Sequence, residues 1–308
     1  MSVATPSDDR FHPPVDAHPL WTETSWYGFN LPERRLAGAI YPLFRTNLGT
    51  CSVGVHVWDD SAHEPWRALY SRCLWHVPMP EGNLDDCELG GLRLRCIEPL
   101  SRYRVRYADG DRIALDLLYE GLGPPHALSV DPARGHLDQA CRVSGGLRLD
   151  GEEIAIDGFD MRDRSWHVRD DTRTTRAGYS YAIAGDYTLH AMSMGGDRSG
   201  VIVAGFERRD ATACDLEGGE RRVTERDPAG GFPRRVALEA RRRDGREVVA
   251  HGTCLSRFAF QATPGMFAWI SLTEWDVGGT LVYGADQDIW SPDLLGPRAH
   301  AAGQSESA

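Results

Sequence analysis

The densest group of chemically reactive side chains in this sequence lies between residues 160 and 171. These twelve positions hold four carboxylic acids, three arginines, one histidine and one tryptophan. The segment directly follows an alternating, strand-like stretch, and side chains on a strand point alternately to its two faces. One face then carries Asp163, Ser165 and His167, and the other carries Arg162, Arg164 and Trp166. The sequence therefore predicts a strand that presents a carboxyl, a hydroxyl and an imidazole group together.

The same segment could also form a solvent-exposed loop, but Trp166 argues against that interpretation because a fully solvated loop seldom carries a tryptophan. Charged groups on an internal strand need buried partners or a pocket. Burial in an apolar pocket raises the pKa of a carboxylic acid, so that it keeps its proton near neutral pH. Asp163 is therefore our candidate general acid, and Arg164 is a structural partner or an orienting group beside it.

A second group of candidates follows on the next two predicted strands. Tyr179 and Tyr181 lie on one strand and His190 on its neighbour. They could line the same pocket, with His190 or His167 as the base, or form a surface ladder of tyrosines, and the sequence favours neither. The candidate catalytic residues are Asp163, His167, His190 and Tyr181. The candidate substrate-binding residues are Trp166, Tyr179, Trp26, Trp75 and Arg164.

The charge composition excludes several classes of function. The formal net charge is −11, so the protein lacks the basic surface that binds nucleic acid or anionic membranes. The sequence contains no lysine, and all 34 basic residues are arginines. A Schiff-base lysine and a phosphate-loop lysine are therefore excluded.

The sequence also lacks the common metal and cofactor motifs. It has no Gly-x-Gly-x-x-Gly before a helix, no Gly-x-Ser-x-Gly, no His-Glu-x-x-His and no Cys-x-x-Cys, so we expect neither a metal nor a cofactor. The seven cysteines are expected to be mostly buried free thiols. Without a signal peptide or an apolar run of membrane-spanning length, the protein is expected to be cytoplasmic, with no membrane span. A homodimer is one assembly that fits this composition.

Strand signals dominate the rest of the chain, and no convincing long helix is found. Three alternating stretches are followed by the hairpin-forming pairs Asp109-Gly110, Asp150-Gly151 and Asp244-Gly245. More than a dozen short strands usually close into a barrel or pack as two sheets. We therefore predict an extended segment at 1–30, two β domains at 31–140 and 141–295, and a flexible tail at 296–308. Gly- and Pro-rich residues mark a link between the two halves at about 121–145.

Three motifs resemble the carotenoid 1,2-hydratase (hydroxyneurosporene synthase)-like superfamily and its bacterial relatives. They are His18-Pro19-x-Trp21-x-Glu23-x-x-Trp26-Tyr27, His136-x-Asp138-Gln139-x-x-Arg142-Val143-x-Gly145 leading into Asp150-Gly151-Glu152, and Arg162-Asp163-Arg164-Ser165-Trp166-x-x-Arg169. The third motif is the most specific. Together they extend, in the expected order, over most of the chain.

The resemblance implies two consecutive lipocalin-like antiparallel β halves, with a ligand cavity at or near their junction. It also implies cofactor-free chemistry on hydrophobic substrates, including the hydration of terpenoids. His167 stands where relatives usually have glycine, and Asp286 stands where an acidic residue often follows glycines, which makes Asp286 a further, weaker candidate.

The function that these observations favour is a cofactor-independent lyase of the hydratase/dehydratase type, acting on a hydrophobic terpenoid or aromatic molecule. One alternative is another cofactor-free elimination, isomerisation, cyclisation or carbon–carbon cleavage on such a substrate. A second alternative is a non-catalytic carrier of hydrophobic ligands, which needs the aromatic cavity but not the acid and the imidazole.

Overall fold

Almost all of the regular structure is β-strand. A computed structural model describes residues 3–170, 176–196, 198–229, 231–263 and 265–291, and these residues form nineteen strands and four short 3-10 helices. The helices are Pro6–Asp9, Val15–Ala17, Pro32–Arg34 and Thr46–Leu48. The strands are β1 Trp21–Leu31, β2 Leu36–Arg45, β3 Thr50–Trp58, β4 Tyr70–Pro78, β5 Asp86–Leu89, β6 Leu92–Glu98, β7 Arg102–Asp109, β8 Ile113–Gly121, β9 His126–Asp131, β10 Arg134–Leu149, β11 Glu152–Val168, β12 Arg176–Ile183, β13 Tyr187–Met194, β14 Ser199–Arg209, β15 Thr212–Arg226, β16 Pro233–Arg242, β17 Glu247–Thr263, β18 Met266–Val277 and β19 Thr280–Trp290. The predicted all-β fold class is confirmed.

The described residues divide into two compact units. The first holds the chain up to Arg169, together with Ile183–Thr188 and Arg209–Ala211, and the second holds the rest. Residues 141–169 thus belong to the first unit, whereas the sequence analysis assigns them to the second domain. The physical reason is strand pairing, since β11 lies between β10 and β1 in a single sheet.

The first unit is one antiparallel sheet with the strand order β4-β3-β2-β1-β11-β10-β8-β7-β6-β5, and β9 pairs with β10. Its longest hairpin joins β10 to β11 through Asp150 and Gly151, which both have positive φ angles of 46° and 89°. A two-residue turn of this kind matches the twist of antiparallel strands. All three predicted Asp-Gly hairpins form.

Residues 121–145, predicted as a link, instead contain β9 and most of β10. The predicted extended segment at 1–30 likewise contains β1 from Trp21 onward. Apolar side chains from this sheet make a continuous core that includes Phe29, Ile40, Val105, Leu117 and Ile156. The sheet is therefore held by its own core and offers a firm support for polar residues on the other face.

The second unit is a closed barrel in which β12 to β19 follow one another in chain order. Its buried apolar side chains include Phe258, Ile270, Leu272 and Trp275. A curled sheet followed by a closed barrel agrees with the predicted pair of lipocalin-like halves. Among the described residues, no helix has the length and apolar character that crossing a membrane requires.

Candidate active site

Strand β11 has two chemically different faces, as its sequence pattern predicts. On one face Arg162, Arg164 and Trp166 contact the N-terminal strap, which we define as residues 5–12. On the other face Asp163 lies beside residues of β10, and the Ser165 hydroxyl bonds to a neighbour on β1. The predicted alternation is confirmed, and Asp163 therefore does not share a face with the two arginines.

Asp163 lies next to two residues of β10, His136 and Asp138. The strand register pairs Asp138 with Asp163 and His136 with Ser165, and residues paired across adjacent strands point to the same face. A ring nitrogen of His136 and one carboxylate oxygen of each aspartate all lie within 4.8 Å of one another. We call His136, Asp138 and Asp163 the carboxylate–imidazole cluster.

The negative charge of the Asp163 carboxylate has little direct stabilisation from neighbouring groups. Its Oδ1 atom is buried and accepts no hydrogen bond, and no described residue forms an ion pair with the group. The pKa of Asp163 is raised to about 6, chiefly by burial and also by the negative charge of Asp138, while the positive charges of His136 and Arg169 act in the opposite direction. Asp163 therefore exchanges its proton close to neutral pH, as acid–base groups in active sites do.

His136 is held in place by Asp138. Its Nε2 atom lies 3.1 Å from Oδ1 of Asp138, whose side chain is completely buried, while 23% of the His136 side chain is exposed. Burial on its own would lower the pKa of His136, but the charge and hydrogen bond of Asp138, together with the charge of Asp163, outweigh burial and raise the pKa to about 9. At neutral pH the cluster thus combines a protonated imidazolium with a mostly ionised Asp163. Two titratable groups with separated pKa values are the usual basis of acid and base roles.

An arginine and two aromatic side chains border the cluster. Arg169 donates hydrogen bonds to the Tyr41 hydroxyl at 3.0 Å and to the Ser165 hydroxyl at 3.1 Å. Trp26, the register partner of Asp163 on β1, packs edge-to-face against Tyr41 with ring centroids 5.6 Å apart. Trp26, a predicted substrate-binding residue, is therefore the cross-strand neighbour of Asp163. Arg169 and Tyr41 are neighbours that the sequence analysis does not single out.

His167 is near the end of the same face but is not part of the cluster. Its Nδ1 atom donates to the carbonyl oxygen of Val168 at 2.9 Å. Burial and then the positive charge of Arg169 lower the pKa of His167 to about 4. His167 is thus neutral at physiological pH, which is compatible with the predicted role of a base and excludes an imidazolium acid.

Two predicted substrate-binding residues, Arg164 and Trp166, lie on the back of β11. Arg164 is fully buried, is ion-paired with Glu23 and donates to three backbone carbonyl oxygens. Trp166 stacks on the His12 ring with centroids 3.8 Å apart, and its Nε1 donates to the Asp131 carbonyl at 3.0 Å. Both side chains therefore pack in the interior, away from the cluster.

The remaining predicted residues lie elsewhere in the fold. In the barrel, the Tyr179 ring lies 4.6 Å from His190 and 5.9 Å from Tyr181, and all three side chains are buried. They form an aromatic group of the second unit and not a solvent-exposed ladder. Trp75 lies on the edge strand β4, four strands from β11, and is 43% exposed. It has no place in the cluster.

The sequence analysis missed His136 and Asp138 as reactive groups. Both belong to the second motif of the family resemblance, and strand alternation alone places them on one face. The pairing of β10 with β11 then brings them to Asp163. A close reading of the Asp150-Gly151 hairpin could have found this pairing.

The cluster also offers the donor types that divalent metal ions bind. Its imidazole nitrogen, however, already contacts Asp138, and the raised pKa of His136 means that a metal ion would have to displace a proton.

A second buried group of charges lies in the barrel. Arg221 donates to the two carboxylate oxygens of Asp286 at 2.9 and 2.6 Å. Asp288 is ion-paired with Arg176 at 2.5 Å and with Arg226 at 2.8 Å. We call these five residues the barrel ion cluster. Asp286, the weaker candidate from the family resemblance, is thus fixed in an ion pair.

A curled antiparallel sheet that carries the carboxylate–imidazole cluster, followed by a closed eight-stranded barrel, defines a two-part all-β protein. The chain belongs to the family described as Domain of unknown function (DUF7064), whose sequence profile matches residues 5–285. No curated protein is significantly similar to it in sequence.

Solved structures with a similar fold include kievitone hydratase from Nectria haematococca, with a TM-score of 0.60, 12% identity and 90% of each chain covered. An AttH candidate from Nitrosomonas europaea has a TM-score of 0.60 and 14% identity, with 88% of this chain and 91% of the other covered. CghA has a TM-score of 0.55 and 14% identity, with 89% of this chain and 88% of the other covered. The predicted superfamily resemblance is therefore confirmed at the level of the fold.

Proposed function

We propose that this protein is a cofactor-independent lyase of the hydratase/dehydratase type that acts on a hydrophobic terpenoid or aromatic molecule. The observation that carries the proposal is the carboxylate–imidazole cluster, in which an imidazolium and an uncompensated carboxylate lie within 4.8 Å. An elimination of water needs one group to give a proton and another to take one. The cluster supplies both without a cofactor.

In the dehydration direction, Asp163 removes a proton from a substrate carbon as the carbon–carbon double bond forms. His136 gives its proton to the departing hydroxyl group, which leaves as water. Hydration is the reverse, with protonated Asp163 as the acid toward carbon and neutral His136 as the base toward water. Asp138 stabilises the imidazolium form of His136. The acid role that the sequence analysis gives to Asp163 thus passes to His136 in dehydration.

The surroundings of the cluster support an apolar substrate. Trp26 on β1 is the cross-strand neighbour of Asp163, and Tyr41 on β2 packs against Trp26. Such rings bind apolar molecules and stabilise positive charge that develops during the reaction. The fold similarity to kievitone hydratase, a hydratase by name, supports the reaction type, and the structure of CghA with Sch210972 supports the binding of a small molecule.

The proposal is tested by finding the ligand and then removing the carboxyl group. Native mass spectrometry of the protein from its own host should detect a co-purified apolar molecule. With that molecule, Asp163→Asn should lower kcat by about 10²- to 10⁴-fold, the usual worth of general acid–base catalysis, while ligand affinity changes little. The reaction in ¹⁸O-labelled water should introduce the label into a hydration product.

The matched control is Asp157→Asn, because Asp157 lies on the same strand in an exposed ion pair with Arg142. It should leave kcat unchanged. Full activity of a folded Asp163→Asn protein would disprove the catalytic role. Tight binding without any turnover by the wild-type protein would instead identify a carrier. A product without ¹⁸O would point to isomerisation, cyclisation or carbon–carbon cleavage.

A further inference from the structure

The N-terminal strap and the carboxylate–imidazole cluster lie on opposite faces of one strand, β11. Arg162 and Arg164 contact the strap, and Asp163 between them belongs to the cluster. Asp163 lies between the two arginines on one strand, so its side chain points to the opposite face while its backbone is continuous with theirs. The strap therefore contacts the strand that carries the proposed active site, although more than 150 residues separate Asp9 from Arg162 in the sequence.

Asp9 is at the centre of this contact. Its carboxylate is ion-paired with Arg162 and accepts hydrogen bonds from the Tyr103 hydroxyl at 2.7 Å and the Leu100 amide at 2.6 Å. Arg162 also lies over the Tyr103 ring, 3.8 Å from its centroid. The side chains of Asp9 and Arg162 are each only 2% exposed. Burial raises the pKa of Asp9, but the charge of Arg162 and the hydrogen bonds to the carboxylate together outweigh burial and lower the pKa.

The rest of the strap contacts Arg164 and Trp166, the next two residues on the same face of β11. The Arg10 carbonyl accepts a hydrogen bond from Arg164 at 2.9 Å, and the His12 ring stacks on Trp166. The strap thus binds β11 at every residue of its back face from 162 to 166.

We infer that Asp9 is a positioning residue of the proposed active site, which fixes β11 through Arg162 and cancels a buried positive charge behind the Asp163 carboxyl group. The inference depends on the proposed function, because it assumes that Asp163 is a reacting group. The charge of Arg162 does reach Asp163, since it lowers the pKa of that carboxyl group. The other groups that act on Asp163 are His136 and Asp138 from β10 and Arg169 from the end of its own strand, while β1 contributes the neutral Trp26.

The test measures the protonation of Asp163 directly, without a substrate. The full-length protein is labelled with ¹³C at the aspartate carboxyl groups, and the Asp163 signal is assigned by its loss in Asp163→Asn. In Asp9→Asn, the positive charge of Arg162 is no longer cancelled, so the titration midpoint of Asp163 should move to lower pH. In the double variant Asp9→Asn/Arg162→Gln both charges are absent, and the midpoint should return toward that of the wild type. A merely structural role of the ion pair would not produce this return.

The matched control is Asp85→Asn. Asp85 forms an exposed ion pair with Arg10 of the same strap but does not contact β11, so the Asp163 midpoint should not move. An unchanged midpoint in Asp9→Asn, or no return in the double variant, would overturn the inference and leave the proposed function standing. Loss of activity in Asp163→Asn is measured in a separate experiment, which tests only the proposed function.

If Asp9→Asn does not fold, Tyr103→Phe is the second variant, because it removes one hydrogen bond to Asp9 and keeps every charge and the ring under Arg162. The amides of the strap and of residues 162–166 should then exchange hydrogen faster together. Faster exchange in the strap with no change at 162–166 would also overturn the inference.

Discussion

Two groups of buried charge in this protein differ in how completely their carboxylates are satisfied. In the barrel ion cluster, each carboxylate oxygen of Asp286 and Asp288 has at least one donor. In the carboxylate–imidazole cluster, Oδ1 of Asp163 is buried with no donor. Burying a charged group is costly unless it is paired, so the second arrangement lowers the stability of the fold.

The difference separates charges that hold the fold together from charges that are free to react. A carboxylate fixed by several arginines has no capacity left for a substrate, whereas an unsatisfied carboxylate with a pKa close to neutrality can take up a proton. Sequence composition does not distinguish the two, since both groups are made of Asp and Arg or His on neighbouring strands.

The largest effect on stability is expected in the barrel. Arg221→Gln leaves Asp286 inside the protein without its bidentate cation, and breaking a buried ion pair typically costs about 3–5 kcal/mol of unfolding free energy. Urea denaturation followed by tryptophan fluorescence measures this loss. Arg222→Gln, which changes the exposed neighbour paired with Glu239, is the control and should have little effect. Equal, small losses in both variants would contradict the comparison.

At Asp163, by contrast, we expect substitution to increase the stability of the fold. Its pKa is raised in the folded protein, from 3.8 to about 6, so the ionised group destabilises the fold at pH values above this range and has no effect well below it. Asp163→Asn should therefore raise the unfolding free energy at pH 8 by up to about 3 kcal/mol, from the pKa difference, and leave it unchanged near pH 3. Urea denaturation at several pH values checks the sign, and a variant less stable at pH 8 would show that Asp163 is a structural group.

The smallest expected effect is a shift in the pH dependence of kcat when Asp138 is replaced. For dehydration, kcat should rise with pH through about 6 as Asp163 ionises, and fall through about 9 as His136 loses its proton. Asp138→Asn removes a carboxylate that raises both pKa values, so both limbs should move to lower pH. In Asp157→Asn both limbs should stay in place. Limbs that moved in opposite directions in Asp138→Asn would contradict the assignment of the two groups.

Local sequence signals predicted the strands and hairpins well. Each of the three Asp-Gly pairs lies at a hairpin, because its glycine readily takes the positive φ angle that the turn needs. The link expected at 121–145 was not found, because β9 and β10 are stabilised by pairing with each other and with β8. A high content of glycine and proline indicates where such strands end, but it does not indicate which strands they pair with.

The candidate site was predictable only in part, for a related reason. Alternation on β11 correctly separated Asp163 from Arg162 and Arg164. The partners of those arginines, Asp9 and Glu23, lie more than 140 residues away, and no local pattern indicates them. Trp166 was a candidate substrate-binding residue, but its ring stacks on His12 of the strap.

The pairing of β1 with β11 also has a consequence for the time course of folding. The register pairs Trp21 with Val168. One edge of β1 therefore cannot form its hydrogen bonds to β11 until most of the first unit has been synthesised. Contacts so far apart in sequence slow folding, and an unpaired apolar strand is exposed to aggregation meanwhile. The β11 edge of β1 and the contacts of the strap with Arg162 and Arg164 can therefore form only after β11 has been synthesised, whereas β1 can pair with β2 earlier.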